Sequence, residues 1–224
     1  MRTRTLFISY ERLAAADSGV AVATLGLVCN DLAIANSSMA RYNKLRSGTL
    51  AHIRRGGRMY FSRMMCGHLN EAMEALEQIR ADSGLMQLVH QCSSVARQAF
   101  ANLCKCLRGG SEHRRFNRYV GWVRHRVAFH YQPNDLKWAM EDRGNRAITG
   151  TLTAGWDIHT TRFEFGDDLI DSIVVRKLWK ISRSKDLRQE ADRIGDWCNT
   201  KCLEFLQFSQ EFVPSFLRNC GAVR

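Results

Sequence analysis

Residues 116–133 read FNRYVGWVRHRVAFHYQP. Phe116, Val120, Val123 and Val127 recur at three- and four-residue steps, the spacing of one face of a helix, and basic residues crowd the remaining positions. Ser111 upstream is a suitable N-cap. Pro133 closes the segment, because the residue before a proline avoids the α region. The stretch therefore predicts an amphipathic helix from Ser111 to Tyr131 that carries the run RHRVAFHY at its C-terminal end.

Working outward, the same period recurs on both sides. Leu25, Val28, Leu32 and Ala35 mark a helix over about Ser18 to Arg46. A Gly- and Arg-rich loop is expected from Ser47 through Arg54, Arg55, Gly56 and Gly57. The next helix begins at Arg58, with Tyr60, Met64, Leu69, Met73, Leu76 and Ile79 near one face. A third runs from about Leu85 through Leu88, Cys92, Val95, Ala99, Leu103 and Cys106, and stops at Gly109–Gly110. Between 134 and 168 the period degrades. NDLKWAMEDR reads as a short helix, but ITGTLTAGWDIHTTRFEF suits an irregular excursion or a small β-hairpin. Helical character returns at about Asp168 to Ile181 and from Asp186 to Asn219, where Ile194, Trp197, Lys201, Phe205 and Phe208 share a face. The expected fold is all-α: one domain over residues 1–224, an up-and-down helical bundle with an insertion at 134–168.

Composition agrees with a helical, globular chain. Of 224 residues 45% are hydrophobic and 25% charged, which argues against extensive disorder, and the only prolines are Pro133 and Pro214. The net charge is +11, and 26 of the 33 basic residues are arginine. Arginine's planar fork pairs with phosphates and stacks on bases, so RNA is the natural polyanionic partner; a solvated basic surface is the plainer account. The N-terminal segment is broken by Glu11, Arg12 and Asp17, unlike a secretory leader. The most apolar stretch, from Gly19, is interrupted by Asn30 and Asp31 and reads as too short to span a bilayer. The expectation is a cytoplasmic protein whose eight cysteines are reduced, with Cys92, Cys106 and Cys202 acting as small hydrophobes.

The run at the helix end has a chemical reading. Arg124, five intervening residues and His130, with His125 directly after the arginine and Tyr131 after the histidine, resemble the HEPN superfamily over about Phe116 to Gln132. That resemblance implies an all-α bundle acting as a homodimer, in the manner of toxin–antitoxin or phage-defence proteins, with a cognate antitoxin or other protein as a further partner. It also implies metal-independent endoribonuclease chemistry, in which the 2′-hydroxyl attacks the adjacent phosphate. Such a step needs a group that moves protons near neutrality, which histidine supplies, and a fixed positive charge for the developing phosphorane, which arginine supplies. On the resemblance, Arg124 and His130 are catalytic, while His125 and Tyr131 are supporting hydrogen-bond partners. Geometry leaves the pairing open. On an ideal helix Arg124 and His130 diverge by about 120°, whereas Arg126 and His130 lie only about 40° apart. Either Arg124 converges with His130 across a dimer axis, or Arg126 is the partner. The structural alternative is a basic surface helix whose last histidine sits at the edge of the core.

Other constellations are weaker. His68 and Glu71 share a helix face, but no second Glu-x-x-His pair completes a di-metal set. Glu71 is instead a candidate orienting carboxylate for the Arg–His site. Cys104, Cys106, His90, Cys92 and His113 lack the paired spacing of a zinc site, and Cys198 and Cys202 have no third and fourth ligand nearby. No metal and no cofactor are expected. RSGTL and RRGGR lack the Gly-Lys-Ser/Thr ending of a nucleotide loop. Arg54, Arg55 and Arg58, with Tyr60 and Phe61 behind them, are a candidate nucleic-acid contact, against the simpler account of a solvated loop before core aromatics. Two functions stand: an RNA-cleaving or RNA-binding protein, and a non-catalytic helical interaction module.

Overall fold

The computed structural model describes residues 5–44, 51–154, 163–181 and 187–223; the side chains of residues 43, 51–55, 187 and 188 are outside that description. The described elements are helical: α1 (Tyr10–Ala15), α2 (Gly19–Lys44), α3 (Ala51–Ala81), α4 (Ser83–Gln91), α5 (Ser94–Cys104), α6 (His113–Phe116), α7 (Pro133–Gly144), α8 (Glu164–Asp171) and α9 (Leu187–Asn219). Three π-wound segments join them, Asn117–Gly121, Arg124–Ala128 and Ser172–Leu178. The all-α expectation holds. The described residues contain no strand beyond isolated bridges, one of which pairs Ile8 with Val223.

The chain divides into two compact units. The first comprises Met1–Ala33, Glu71–Arg114 and Thr200–Arg224. Its core is aromatic: Phe205, Phe208 and Phe212 of α9 are fully buried, and Phe208 lies 4.8 Å from Phe100 and 4.9 Å from Phe212 between ring centroids. Capping fixes where its short helices begin. Asp82 accepts hydrogen bonds from the amides of Gly84 (2.8 Å) and Leu85 (3.0 Å), and Ser93 from that of Ala96. Glu211 binds the Ser93 amide and hydroxyl, and those bonds hold its carboxyl below the usual range. The single third helix expected from Leu85 is therefore two, because Ser93 starts a new one. The break shifts the helical phase, so Val95, expected in the stripe, is 61% exposed.

The second unit comprises Ile34–Asn70 and Arg115–Asn199. Here the expected loop at Arg54–Gly57 is replaced by helix, since α3 begins at Ala51. The glycine here serves a close approach and not a turn: a Cβ on Gly57 would collide with the Tyr42 ring. The insertion begins as α7, with Pro133 at its first position, where a missing N–H costs nothing. No strand occurs at 134–154 or 163–168, and the part of the expected hairpin at 155–162 lies outside the described residues. Half-buried ion pairs tie α7 to the segments that follow: Arg143 to Asp168 (2.8 Å), and Asp142 to both Arg146 (2.7 Å) and Arg176 (2.9 Å).

One correction concerns length. The segment Gly19–Tyr42 is a continuous helix of 24 residues with a mean hydropathy of 1.5 in its most apolar window, long and apolar enough to cross a membrane by length and composition. It was expected to be too short. Leu25, Val28 and Leu32 are buried in the first unit, as a core helix also requires.

Candidate functional site

The motif helix starts at His113 and keeps the predicted stripe: Phe116, Val120, Val123 and Val127 are all at most 2% exposed. Its winding was not predicted. Both Asn117–Gly121 and Arg124–Ala128 are π segments, whose i→i+5 bonds shift the carbonyl ladder; such segments recur at functional sites. The carbonyl of Tyr119 accepts from Trp179 Nε1 at 3.2 Å, with the Cys66 thiol at 3.9 Å. The helix ends at Ala128, three residues before the predicted end at Tyr131. Residues 130–132 then run between that end and the proline that opens α7.

This early ending relocates His130. It stands exposed, two residues past the last helical position, so the core-edge reading of this histidine is wrong. The 120° divergence from Arg124 belongs to a continuous helix and does not apply beyond one. Within the last helical turn, Arg124 Nη1 lies 3.1 Å from His125 Nδ1. A guanidinium only donates, so Nδ1 is the accepting atom of this pair.

Arg126, the rival partner, is committed elsewhere. Its Nη1 contacts both oxygens of Asp135 at 2.7 and 3.0 Å. Asp135 is 1% exposed in the first turn of α7, where the helix dipole favours a carboxylate, and Lys177 Nζ completes its neutralisation at 2.7 Å. Lys177 in turn lies over the Trp138 ring. Beside this triad opens a cleft of about 310 Å³ lined by His125, Arg126, Gln132, Asn134 and Asp135. Of the motif run, the residues in its lining are His125 and Arg126.

A buried cation was missed altogether. Arg63 of α3 is 6% exposed, and its Nη1 donates to the carbonyl of Val127 at 2.8 Å, satisfying an acceptor that the end of the motif helix leaves open. The rings of Tyr60 and Tyr131 flank its guanidinium at 6.0 and 5.8 Å. The only available signal was an arginine on the apolar side of a helix stripe. Nearby, Phe129 packs edge-on to His68 at 6.1 Å and lies directly over Gly67, where a Cβ would come within 2.7 Å of the ring.

Arg58 is exposed, the side chains of Arg54 and Arg55 lie outside the described residues, and Glu71 is exposed on α3 within the first unit. Cys92, Cys106 and Cys202 are buried, and burial pushes the Cys106 thiol up to about 12. His113 Nδ1 pairs with the Cys106 carbonyl at 3.0 Å, while Lys201 bridges Glu112 and Glu204 at 3.2 and 3.0 Å. Among the described residues no three His, Cys, Asp or Glu side chains gather as a metal set. No family model matches the sequence, and neither characterised proteins nor solved structures give a significant match.

Proposed function

We propose that this chain is a metal-independent endoribonuclease of the HEPN kind, acting on RNA as a homodimer. The observation that carries the reading is the position of His130, exposed just past a π-wound helix end, with Arg124 in the last turn and Arg126 held by Asp135. In the proposed step His130 takes the 2′-hydroxyl proton, the 2′-oxygen bonds to phosphorus, and the P–O5′ bond breaks as the departing O5′ takes a proton from water. Arg124 stabilises the charge that gathers on the phosphoryl oxygens. The products are a 2′,3′-cyclic phosphate and a 5′-hydroxyl end. Arg124 of one protomer and His130 of its partner share the work, so light scattering at micromolar concentration is expected to report a dimer. A strict monomer would remove the shared site.

Charge gives a second expectation. With a net +11, RNA affinity should fall steeply with salt, by roughly a thousandfold between 50 and 200 mM if about six phosphates are contacted. Filter binding over that range measures the slope, and no binding at low salt would remove RNA as the partner. The second reading, a helical interaction module, draws on Val20 and Leu27, one heptad apart on α2 and 81% and 66% exposed. Protein capture with no nucleolytic activity would favour it.

A further inference from the structure

The second unit brings together two basic, aromatic stretches that are distant in sequence. Residues 51–70 and 115–134 together hold eight arginines and four histidines, and no aspartate or glutamate. At their meeting point Arg63 is buried, bonded only to the carbonyls of Met59 and Val127, with no carboxylate within ion-pairing distance among the described residues. A buried cation without a counter-charge favours an anion beside it. Above it stand aromatic rings that water reaches: Tyr60 is 48% exposed, Phe129 47% and Tyr131 59%.

Burial normally claims such rings, so their exposure needs a reason. They are also held in place. Tyr60 and Tyr131 flank one guanidinium, Tyr60 meets Phe61 edge-on at 5.1 Å, and Phe129 is seated on Gly67 and His68. Fixed rings lose little side-chain freedom on binding. Tyr131 directly follows His130 in the chain, so whatever stacks there lies next to the reacting phosphate.

From this juxtaposition we infer that Tyr60 and Tyr131, set on Arg63, form a stacking platform for unpaired bases, which makes the substrate single-stranded RNA. This rests on the ribonuclease reading for the place of the scissile bond, but not for binding itself. Every base has a π face, so the platform grips without choosing sequence, while the surrounding arginines follow the backbone. Bases in a duplex are already stacked on one another and cannot use it. An apolar protein partner would be disfavoured by so concentrated a positive charge.

The test uses the full chain carrying His130→Ala, so that RNA survives the measurement. Its probes are a short mixed-sequence single-stranded RNA bearing one 2-aminopurine and the same strand annealed to its complement. Tyr131→Ala and Tyr60→Ala are each expected to weaken single-strand binding by about fivefold to a hundredfold and to relieve 2-aminopurine quenching. Duplex binding should stay unchanged, and Tyr131→Phe should bind like the parent, since stacking needs the ring and not the hydroxyl. Unchanged single-strand affinity in both alanine variants would overturn the platform. So would equal loss on duplex, or a loss in Tyr131→Phe as large as in Tyr131→Ala, which would mean a hydrogen-bonding role. Alanine variants that fall from dimer to monomer with RNA affinity intact would make the patch a protein interface, and that too overturns it. Stacking without any cleavage by the unmutated protein would instead overturn the ribonuclease reading and leave the platform standing; no RNA binding at all would end both.

Discussion

Replacing His130 by alanine is expected to abolish RNA cleavage while the helical circular dichroism signal stays as in the parent protein. A positioned acid–base group contributes on the order of a hundred- to ten-thousand-fold in rate, so a cleavage gel resolves the loss without kinetics. Because His130 is exposed beyond a helix end, its removal opens no cavity and should leave thermal stability within about 0.5 kcal/mol. Arg124→Ala should lose cleavage to a similar degree. Arg126→Ala is the internal comparison. It leaves Asp135 buried with Lys177 as its remaining cation, so it should lower stability while cleavage continues. Cleavage should also persist in EDTA. Activity that survives His130→Ala, that EDTA stops, or that depends on Arg126 more than on Arg124 would sink the mechanism.

The largest effect on stability is expected in the other unit. Phe208→Ala removes a fully buried ring that touches both Phe100 and Phe212, and neither neighbour can close the gap without giving up its own stacking. Such truncations cost about 3–5 kcal/mol. For a chain of this size that lowers the melting temperature by roughly 6–20 °C. Leu203→Ala, on the same helix but 42% exposed, should shift it only slightly. Equal melting temperatures for the two variants would mean that the aromatic stack is not the centre of the first unit's core.

The fold class was legible because the apolar stripes are regular. Val120, Val123 and Val127 announce a helix, and all three are buried. What the stripe cannot carry is the winding. A π turn moves the hydrogen-bond ladder by one residue but leaves the apolar face nearly intact, and the carbonyl of Tyr119 is met by Trp179, sixty positions away in the chain. The same limit explains the pair Gly56–Gly57: glycine serves a turn and a close crossing equally well, and only the position of Tyr42 decides between them. The break at Ser93 was readable in principle, since a serine before a fresh apolar run is a capping signal, but the surrounding stripe outweighed it. At the candidate site, the motif residues were legible as chemistry. Their sorting was not, because the partner of Arg126 is an aspartate in the next helix, and Arg63 is recruited from another helix again.

The contact between Gly67 and Phe129 bears on how this sequence can change over time. A methyl group at position 67 would strike the Phe129 ring, which would have to swing aside and draw with it the short segment that holds His130. The two positions are therefore not independently variable. Among descendants of this chain, a side chain at 67 is expected only where residue 129 has become smaller, so that two sites far apart in the gene are inherited as a matched pair.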